Sequence, residues 1–388
     1  MVAKTMQGLE TVLAKELLRI GAREIGEHKR AVSFVGDKGT MYKANYLLRT
    51  ALRILRPVSS FRVQDEKGFY DGIRAIDWEQ WLKADDTLAV DCTLNTDVFN
   101  HSYFIAQKTK DAIVDQFRDK YGKRPSVDTE FPTLRINIHV SKEEVNVSLD
   151  SSGYSLHKRG YREDTGRAPM NEVLAAGIIH LTEWNRRTRL IDPMCGSGTI
   201  LIEAALYANN IPPGYFREKF GFEKWNDFDA QLWETITESA IDRISNETQE
   251  ILGVEISHNT LRKARENIKL AKVDDIVKTV CADFFEWDPP EGRSILVMNP
   301  PYGERMDQDD SLEFYKRIGD TFKKKYSGSE AWLITSNMEA LKVIGLRPSR
   351  KITLFNGPLE CRLMKFEMYA GTKKVHKLRG SPKSGQEN

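Results

Sequence analysis

The sequence predicts an α/β protein in which a doubly wound sheet fills the C-terminal half and a mixed α+β region precedes it. From Arg189 onward, apolar strand segments end in polar or glycine-rich turns, and helical segments follow them. Before residue 160, helices and strands alternate without that regular order. The length of 388 residues allows two or three domains, each with its own core.

The N-terminal half is predicted to form two small α+β segments, at residues 1–60 and 61–155. Apolar residues recur at helical spacing between Leu9 and Leu18, which predicts the first helix. The other predicted elements are helices at 42–52 and 103–121 and strands at 31–35, 61–64, 88–94, 134–140 and 144–149. The glycine- and arginine-rich stretch that follows predicts a linker, at residues 156–170.

The C-terminal half is predicted to form the doubly wound domain, at residues 171–371. The predicted strands are 189–191, 251–255, 277–281, 294–298 and 331–335, with helices at 200–208, 260–271 and 312–326 and a closing antiparallel pair at 351–355 and 362–369. In such a sheet, ligands bind at the carboxyl ends of the strands. Residues 372–388 are basic and rich in glycine, serine and proline, which predicts a disordered tail.

The overall charge is nearly balanced, with 58 Lys+Arg against 56 Asp+Glu and a formal net charge of +2. This balance argues against a uniformly basic nucleic-acid binder, but it hides local differences. Residues 1–165 carry 26 Lys+Arg and 24 Asp+Glu, residues 166–372 carry 27 and 31, and the tail carries 5 and 1. Local basic patches therefore leave a nucleic-acid substrate possible.

Neither a metal site nor a membrane segment is predicted. Cys92, Cys195, Cys281 and Cys361 lie far apart with no CxxC pair, as expected for reduced thiols in a cytoplasmic protein. No run of 18 apolar residues occurs, and the N-terminus lacks the apolar core of a signal peptide. The sequence predicts no oligomeric state.

The first motif that carries chemistry is Asp192-Pro-Met-Cys-Gly-Ser-Gly-Thr199, which lies between a predicted strand and a predicted helix. Its two glycines allow a sharp turn and a close approach of the backbone to a ligand. The N–H groups at the start of the helix favour a carboxylate or phosphate. No Gly-Lys-Ser/Thr follows, which argues against a P-loop, and the full GxGxxG fingerprint is missing. Taken alone, the motif is also compatible with a tight turn that binds nothing.

The second motif, Asn299-Pro-Pro-Tyr-Gly303, ends the fourth predicted strand. The two prolines stiffen the turn and remove backbone donors, which leaves carbonyl oxygens as acceptors. The Asn299 side chain adds another acceptor, and Tyr302 offers an aromatic face. These groups suit a planar ring that carries an exocyclic amine.

Together the two motifs resemble those of the class I S-adenosylmethionine-dependent amino-methyltransferases, whose catalytic domain is Rossmann-like. The resemblance implies that the methionine moiety of the cofactor is held by Asp192, Cys195, Gly196, Ser197, Gly198 and Thr199. It also implies that Glu255 binds the ribose hydroxyls, that Asp283 binds the adenine amine and that Asn299 contributes to the cofactor site as well as to catalysis. Glu255 follows the first motif at an unusually long distance, which predicts a helical insertion at residues 206–249.

The resemblance extends to the bacterial rRNA guanine-N2-methyltransferases that carry a THUMP domain. It rests on His157-Lys-Arg-Gly-Tyr-Arg162, Ala168-Pro-Met-Asn-Glu172, two stretches at 110–115 and 124–128, and residues 211–223. It implies a ferredoxin-like domain at 1–60 and an RNA-binding THUMP domain at 61–155. The enzyme of this family that acts on 23S rRNA is in some bacteria fused to a second methyltransferase domain. At 388 residues this chain is not expected to contain one.

The implied reaction is direct methyl transfer to the exocyclic N2 amine of a guanine in 23S rRNA. Asn299, Pro300, Pro301 and Tyr302 are the predicted catalytic residues: Asn299 Oδ1 and the Pro300 carbonyl would accept the amine N–H groups, and Tyr302 would stack on a flipped base. The predicted RNA-binding residues are Lys108, Lys110, Lys123, Arg124, Lys158, Arg159, Arg162 and Arg167.

Three other functions are compatible with the sequence. A tRNA guanine-N2-methyltransferase is one, because THUMP domains commonly serve tRNA modification. An adenine-N6-methyltransferase is another, since it uses the same Asn-Pro-Pro-Tyr motif. A non-catalytic RNA-binding assembly factor is the third, although both motifs are intact.

Overall fold

The structure is a computed structural model, and it describes residues 1–162, 170–245, 250–301 and 308–369. Two compact units are present: unit 1 contains residues 1–160 and 211–244, and unit 2 contains residues 161–210 and the rest of the chain from 245. Arg167, Tyr302 and the predicted tail lie outside the described residues.

The described residues form the following elements. The strands are β1 (Val2–Lys4), β2 (Arg23–His28), β3 (Ala31–Val35), β4 (Arg53–Arg62), β5 (Thr87–Asn95), β6 (Ser126–Val127), β7 (Leu134–Ser141), β8 (Glu144–Asp150), β9 (Arg189–Asp192), β10 (Ile251–Glu255), β11 (Val277–Cys281), β12 (Ser294–Met298), β13 (Glu330–Thr335), β14 (Arg350–Asn356) and β15 (Leu359–Glu367). The helices are α1 (Glu10–Arg19), α2 (Lys38–Leu47), α3 (Glu66–Arg74), α4 (Ser102–Tyr121), α5 (Glu172–Leu181), α6 (Thr199–Ala208), α7 (Ala230–Ile241), α8 (His258–Leu270), α9 (Gln308–Lys325) and α10 (Ala340–Val343).

Unit 1 is built on one sheet of eight strands, in the order β2-β3-β1-β4-β8-β7-β5-β6. Strand β4 connects the two halves of this sheet, because it pairs antiparallel with β1 on one side and with β8 on the other. The boundary predicted at residue 60 therefore falls inside a strand, and the two predicted N-terminal segments share a sheet. The helix predicted to reach Leu52 ends at Leu47, since the chain from Arg53 is needed to bridge the two halves of the sheet.

Most of the insertion predicted at residues 206–249 packs in unit 1, whereas the sequence predicted it as part of the C-terminal domain. Aromatic side chains explain the difference. Phe222 stacks on Tyr42 with ring centroids 4.4 Å apart, and the Trp233 ring lies edge-on to Tyr46 at 5.4 Å. Residues 211–244 thereby contribute to the core of unit 1, and α7 packs beside α2.

The first part of the predicted linker is also an ordered part of unit 1. The guanidinium of Arg217 donates hydrogen bonds to the carbonyls of Ser155 and Lys158 at 3.1 and 2.8 Å. Gly160 passes so close to the insertion that a Cβ there would lie 2.2 Å from the carbonyl oxygen of Phe216. Its positive φ of +99° likewise favours glycine.

Unit 2 contains the predicted doubly wound sheet, with strand order β11-β10-β9-β12-β13-β15-β14. The first five strands are parallel, and β15 and β14 close the sheet antiparallel, as the sequence predicts. Strand order reverses between β9 and β12, because β10 and β11 extend from β9 in one direction and β13 extends from β12 in the other. The carboxyl ends on either side of that reversal are where a ligand is expected.

Within the described part of the chain, no helix has both the length and the apolar character needed to cross a membrane.

Candidate active site

A cleft of about 710 Å³ opens in unit 2 at the carboxyl ends of the parallel strands. Its lining brings together most of the catalytic and cofactor-binding residues that the sequence predicted. These are Asp192, Cys195, Gly196, Ser197, Thr199, Glu255, Asp283, Asn299 and Pro301. Gly198 and Pro300 are in the same two loops without lining the cleft.

The glycine-rich loop between β9 and α6 is held in place by backbone hydrogen bonds. The Cys195 N–H donates to the Val254 carbonyl on β10 at 2.9 Å, and the Gly198 N–H donates to the Cys195 carbonyl at 2.8 Å. Gly196 and Gly198 have φ values of +55° and +83°, which favour glycine. A Cβ on Gly196 would meet no atom within 4 Å, so side-chain space stays open above this turn.

Glu255 ties this loop to the next strand. Its Oε2 accepts the Gly196 N–H at 3.0 Å and its Oε1 accepts the Ser257 N–H at 2.9 Å, both from the backbone. Each carboxylate oxygen can accept a second hydrogen bond. The carboxylate therefore has a fixed orientation and remains able to accept from the two hydroxyls of a ribose.

Asp192 is almost completely buried, with 1% of its surface exposed. The pKa of its carboxyl group is raised to about 8, chiefly by burial; the hydrogen bond from the Met194 N–H opposes the rise, and the nearby Glu255 carboxylate adds to it. A cation bound beside this pair would favour the ionised form of Asp192, because it would offset both the burial and the repulsion from Glu255. The α-ammonium group of S-adenosylmethionine has the charge that this pair requires.

Asp283 follows β11 and is oriented by its own turn. Its Oδ1 accepts the Phe285 N–H at 2.9 Å, and its carbonyl accepts the N–H groups of Glu286 and Trp287. The neighbouring Phe284 is buried in the core, which anchors the turn. The other carboxylate oxygen has no hydrogen bond among the described residues, so Asp283 can accept one from an amine in the cleft.

Asn299 directly follows β12, and its side chain carries a polar atom with no partner among the described residues. Its Oδ1 is buried, and no group of the described residues donates a hydrogen bond to it. Leaving a buried acceptor unpaired costs about 1–3 kcal/mol, so this oxygen would gain from a donor supplied by a ligand in the cleft. The donors and acceptors of this cleft fit a cofactor that carries an ammonium group, a diol and an adenine.

Two of the predicted RNA-binding arginines are buried, and those predictions are wrong. Arg159 is 2% exposed, and its guanidinium donates to the carbonyls of Leu156 and Arg49 at 2.8 and 2.6 Å. The Arg162 side chain is 6% exposed. Lysines and arginines of a charge cluster are usually solvated, but these two satisfy backbone and carboxylate acceptors inside the protein, so neither guanidinium is available to a phosphate.

Arg162 instead connects the start of unit 2 to the cleft. It forms an ion pair of 3.1 Å with Glu172 at the start of α5 and donates a hydrogen bond to the hydroxyl of Thr199 at the start of α6. Glu172 is also buried, with 8% of its side chain exposed. Sequence reasoning missed this pair, although both residues belong to the segments that carried the family resemblance.

The other predicted RNA-binding residues differ in their surroundings. Lys158 and Arg124 are exposed, and Lys123 is exposed with Asp85 at 3.9 Å. Lys110 forms an ion pair of 2.6 Å with its neighbour Asp111. The ammonium of Lys108 lies over the aromatic rings of Tyr70 and Phe104.

Three domain families match consecutive parts of the chain. A ferredoxin-like domain family matches residues 1–55, the THUMP domain family matches residues 63–150, and an RMKL-like methyltransferase domain family matches residues 159–365. The last match covers just over half of the 388 residues.

Similar proteins agree with these matches. The protein slr0064 of Synechocystis sp., named as an RNA methyltransferase, is 37% identical over 95% of this chain and 96% of its own length. The ribosomal RNA large subunit methyltransferase K/L of Syntrophotalea carbinolica is 39% identical over 94% of this chain. That alignment covers 53% of the relative, so the chain spans about half the length of the K/L proteins it matches.

A solved structure with a bound ligand supports the assignment of the cofactor. The crystal structure of SMU.472, a methyltransferase complexed with S-adenosylhomocysteine, superposes with a TM-score of 0.85 and 30% sequence identity, over 96% of this chain and 98% of that one. S-adenosylhomocysteine is what S-adenosylmethionine becomes after it has given up its methyl group. With a cleft that fits the same cofactor, a THUMP domain and an RMKL-like catalytic domain, this chain belongs to the THUMP-containing family of class I, S-adenosylmethionine-dependent RNA methyltransferases.

Proposed function

We propose that this protein methylates the exocyclic N2 amine of a guanine in 23S rRNA. The observation that carries the proposal is the buried Oδ1 of Asn299, just after β12, which receives no hydrogen bond from the residues that the structure describes. An exocyclic amine has two N–H donors, and one of them would satisfy this acceptor. The Pro300 carbonyl follows directly in the chain and would accept the other; Pro300 and Pro301 have no backbone N–H, so this turn offers the amine acceptors and no competing donors.

S-adenosylmethionine supplies an electrophilic methyl group on its sulfonium. Asn299 Oδ1 and the Pro300 carbonyl would hold the amine so that its nitrogen lone pair leaves the plane of the ring and faces that methyl group. A C–N bond then forms as the S–C bond breaks, and the nitrogen loses one proton to water. Positioning and electrostatics carry most of the catalytic effect in such a reaction. No strong base is required, because the proton becomes acidic only as the new bond forms.

The choice of guanine and of 23S rRNA rests on the family. Two relatives named for the large ribosomal subunit cover 94% of this chain at 39% and 40% identity. A tRNA guanine and an adenine N6 amine would fit the same Asn-Pro-Pro motif and are the competing substrates. The predicted stacking of Tyr302 on the base, together with RNA contacts through Lys110, Lys123, Arg124, Lys158 and Arg167, forms part of the proposal.

The substitution Asn299→Ala tests the catalytic role. It removes the acceptor without adding bulk, so we expect kcat for methyl transfer to unmodified 23S rRNA to fall by about 100-fold or more. The dissociation constant for S-adenosylmethionine, measured by calorimetry, should change by less than about threefold. Asn299→Asp keeps an acceptor oxygen and should retain more activity than Asn299→Ala.

Nucleoside analysis of the product by mass spectrometry identifies the target atom. N2-methylguanosine is expected, and N6-methyladenosine would contradict the proposed substrate. Wild-type activity in Asn299→Ala would show that the unpaired oxygen has no part in the reaction.

A further inference from the structure

Helix α4 carries two pairs in which a lysine lies over an aromatic ring, one at each end. At the C-terminal end, Lys120 Nζ lies 5.4 Å from the ring centroid of Tyr121. Both side chains are engaged by Glu79: the ammonium contacts its carboxylate at 2.6 and 2.8 Å, and the Tyr121 hydroxyl donates to it at 2.8 Å. This pair is neutralised within the protein.

The pair at the N-terminal end is not neutralised. Lys108 Nζ lies 5.6 Å from the ring centroid of Phe104 and 6.0 Å from that of Tyr70. Within the described ranges, no carboxylate comes within ion-pair distance of Lys108. A cation held over aromatic rings and free of a carboxylate partner can contact an anion from solvent.

Two adjacent aromatic side chains are exposed beside this lysine. Tyr103 is 76% exposed, more than any other large apolar side chain that the structure describes, and Phe104 is 41% exposed. The Tyr103 hydroxyl has no hydrogen-bond partner among the described residues. Exposed aromatic surface is unfavourable in water, and a bound group that covers these two rings would remove that cost.

We propose that Tyr103, Phe104 and Lys108 form a platform for unpaired nucleotides of the RNA substrate. One or two bases stack on the two aromatic faces, and the ammonium of Lys108 contacts an adjacent phosphate. Stacking on exposed aromatic rings next to a cation is how single-stranded nucleic acid is held without regard to sequence. The proposal rests on the proposed function only in requiring an RNA substrate.

RNA is favoured over a protein partner by the combination of groups. An unpaired cation adjoining aromatic faces matches the alternating phosphates and bases of a single strand. The platform also lies in the segment that matches the THUMP family, at residues 63–150.

The experiment measures the affinity of the full-length chain for a single-stranded oligouridylate of about 12 nucleotides, a length within the range such sites cover. Tyr103→Ala and Phe104→Ala should each weaken binding by about 5- to 100-fold, the range for loss of one stacked base. Tyr103→Phe should bind like the wild type. Lys108→Gln should lower the slope of log affinity against log salt by about 0.7, the change expected for one phosphate contact.

Tyr121→Ala and Lys120→Gln are the matched controls, because they remove the same groups from the neutralised end of the same helix. They should leave RNA affinity and salt slope unchanged. Thermal unfolding of each variant shows whether a loss of binding reflects a loss of fold.

The proposal is wrong if Tyr103→Ala and Lys108→Gln bind RNA like the wild type, a result that would favour a protein as the partner of this surface. It is also wrong if the control variants lose as much RNA affinity as the platform variants. Methyl transfer is measured separately. A wild-type protein that binds the oligonucleotide but does not methylate 23S rRNA would refute the proposed function and leave the platform standing.

Discussion

The buried ion pair between Arg162 and Glu172 gives a prediction for which the structure and the sequence pattern expect opposite results. By charge alone, Arg162 belongs to an RNA-binding cluster, and its replacement should weaken RNA binding without affecting stability. In the structure its side chain is 6% exposed, and its guanidinium is paired with Glu172 at 3.1 Å and hydrogen-bonded to Thr199. Replacing it with methionine keeps much of its volume and leaves the Glu172 carboxylate in the interior without this cation.

The magnitude follows from that distance and burial. At an effective dielectric constant of about 20, opposite unit charges 3.1 Å apart attract each other by about 5 kcal/mol. Much of this offsets the desolvation of the two groups in the intact pair. Removing one partner of a buried pair nevertheless costs about 3–5 kcal/mol, because the remaining charge stays desolvated. We therefore expect Arg162→Met to lower the free energy of unfolding by about that amount.

Urea unfolding followed by circular dichroism measures the effect. The double variant Arg162→Met/Glu172→Gln removes both charges and should recover part of the loss. Lys158→Met is the control, since Lys158 is an exposed cation four residues earlier and its loss should cost at most about 0.5 kcal/mol. If Arg162→Met unfolds like the wild type and binds RNA more weakly, the guanidinium faces the substrate and the structural assignment is refuted.

Two further predictions concern the cleft. Because burial raises the pKa of Asp192 to about 8, well above that of an unfolded aspartate, its contribution to stability is present below about pH 4 and is lost as the pH rises to 8, at up to about 1.4 kcal/mol per pH unit. Urea unfolding at several pH values should show this fall of unfolding free energy with pH in the wild type and a smaller fall in Asp192→Asn. Equal slopes in the two proteins would contradict the raised pKa of Asp192. Gly253→Ala places a Cβ 2.4 Å from Leu201 Cδ1 and 3.1 Å from Cys195 Sγ, so we expect a loss of about 1–3 kcal/mol in unfolding free energy and weaker cofactor binding. Adding Leu201→Ala to Gly253→Ala should restore part of the cofactor affinity. If Gly253→Ala alone matches the wild type in stability and in cofactor binding, the glycine-rich loop can shift to accept the extra methyl group.

Local sequence patterns predicted the catalytic sheet well. Strands β10, β11 and β12 have the bounds predicted for them, because each is a short apolar run between polar turns. Two motifs at the ends of parallel strands were enough to predict where the cleft lies. In a doubly wound sheet, residues far apart in sequence meet at one edge once the strand order is known.

Long-range packing was what the sequence could not show. The insertion belongs to unit 1 because Phe222 and Trp233 find partners near residue 45, and no local pattern indicates that choice. Charge patterns misled for the same reason. Arg159 and Arg162 look like surface cations until the acceptors that bury them, the carbonyl of Arg49 and the carboxylate of Glu172, are located in the fold.

The central claim is that this chain methylates the N2 amine of a guanine in 23S rRNA. Mass-spectrometric mapping of methylated nucleosides in rRNA and tRNA, from a wild-type strain and a strain that lacks this gene, tests it most directly. We expect one N2-methylguanosine to disappear from 23S rRNA in the deletion strain. It should return when the wild-type gene is restored, but not when the Asn299→Ala form is supplied. Loss of a tRNA nucleoside with the 23S rRNA unchanged would contradict it.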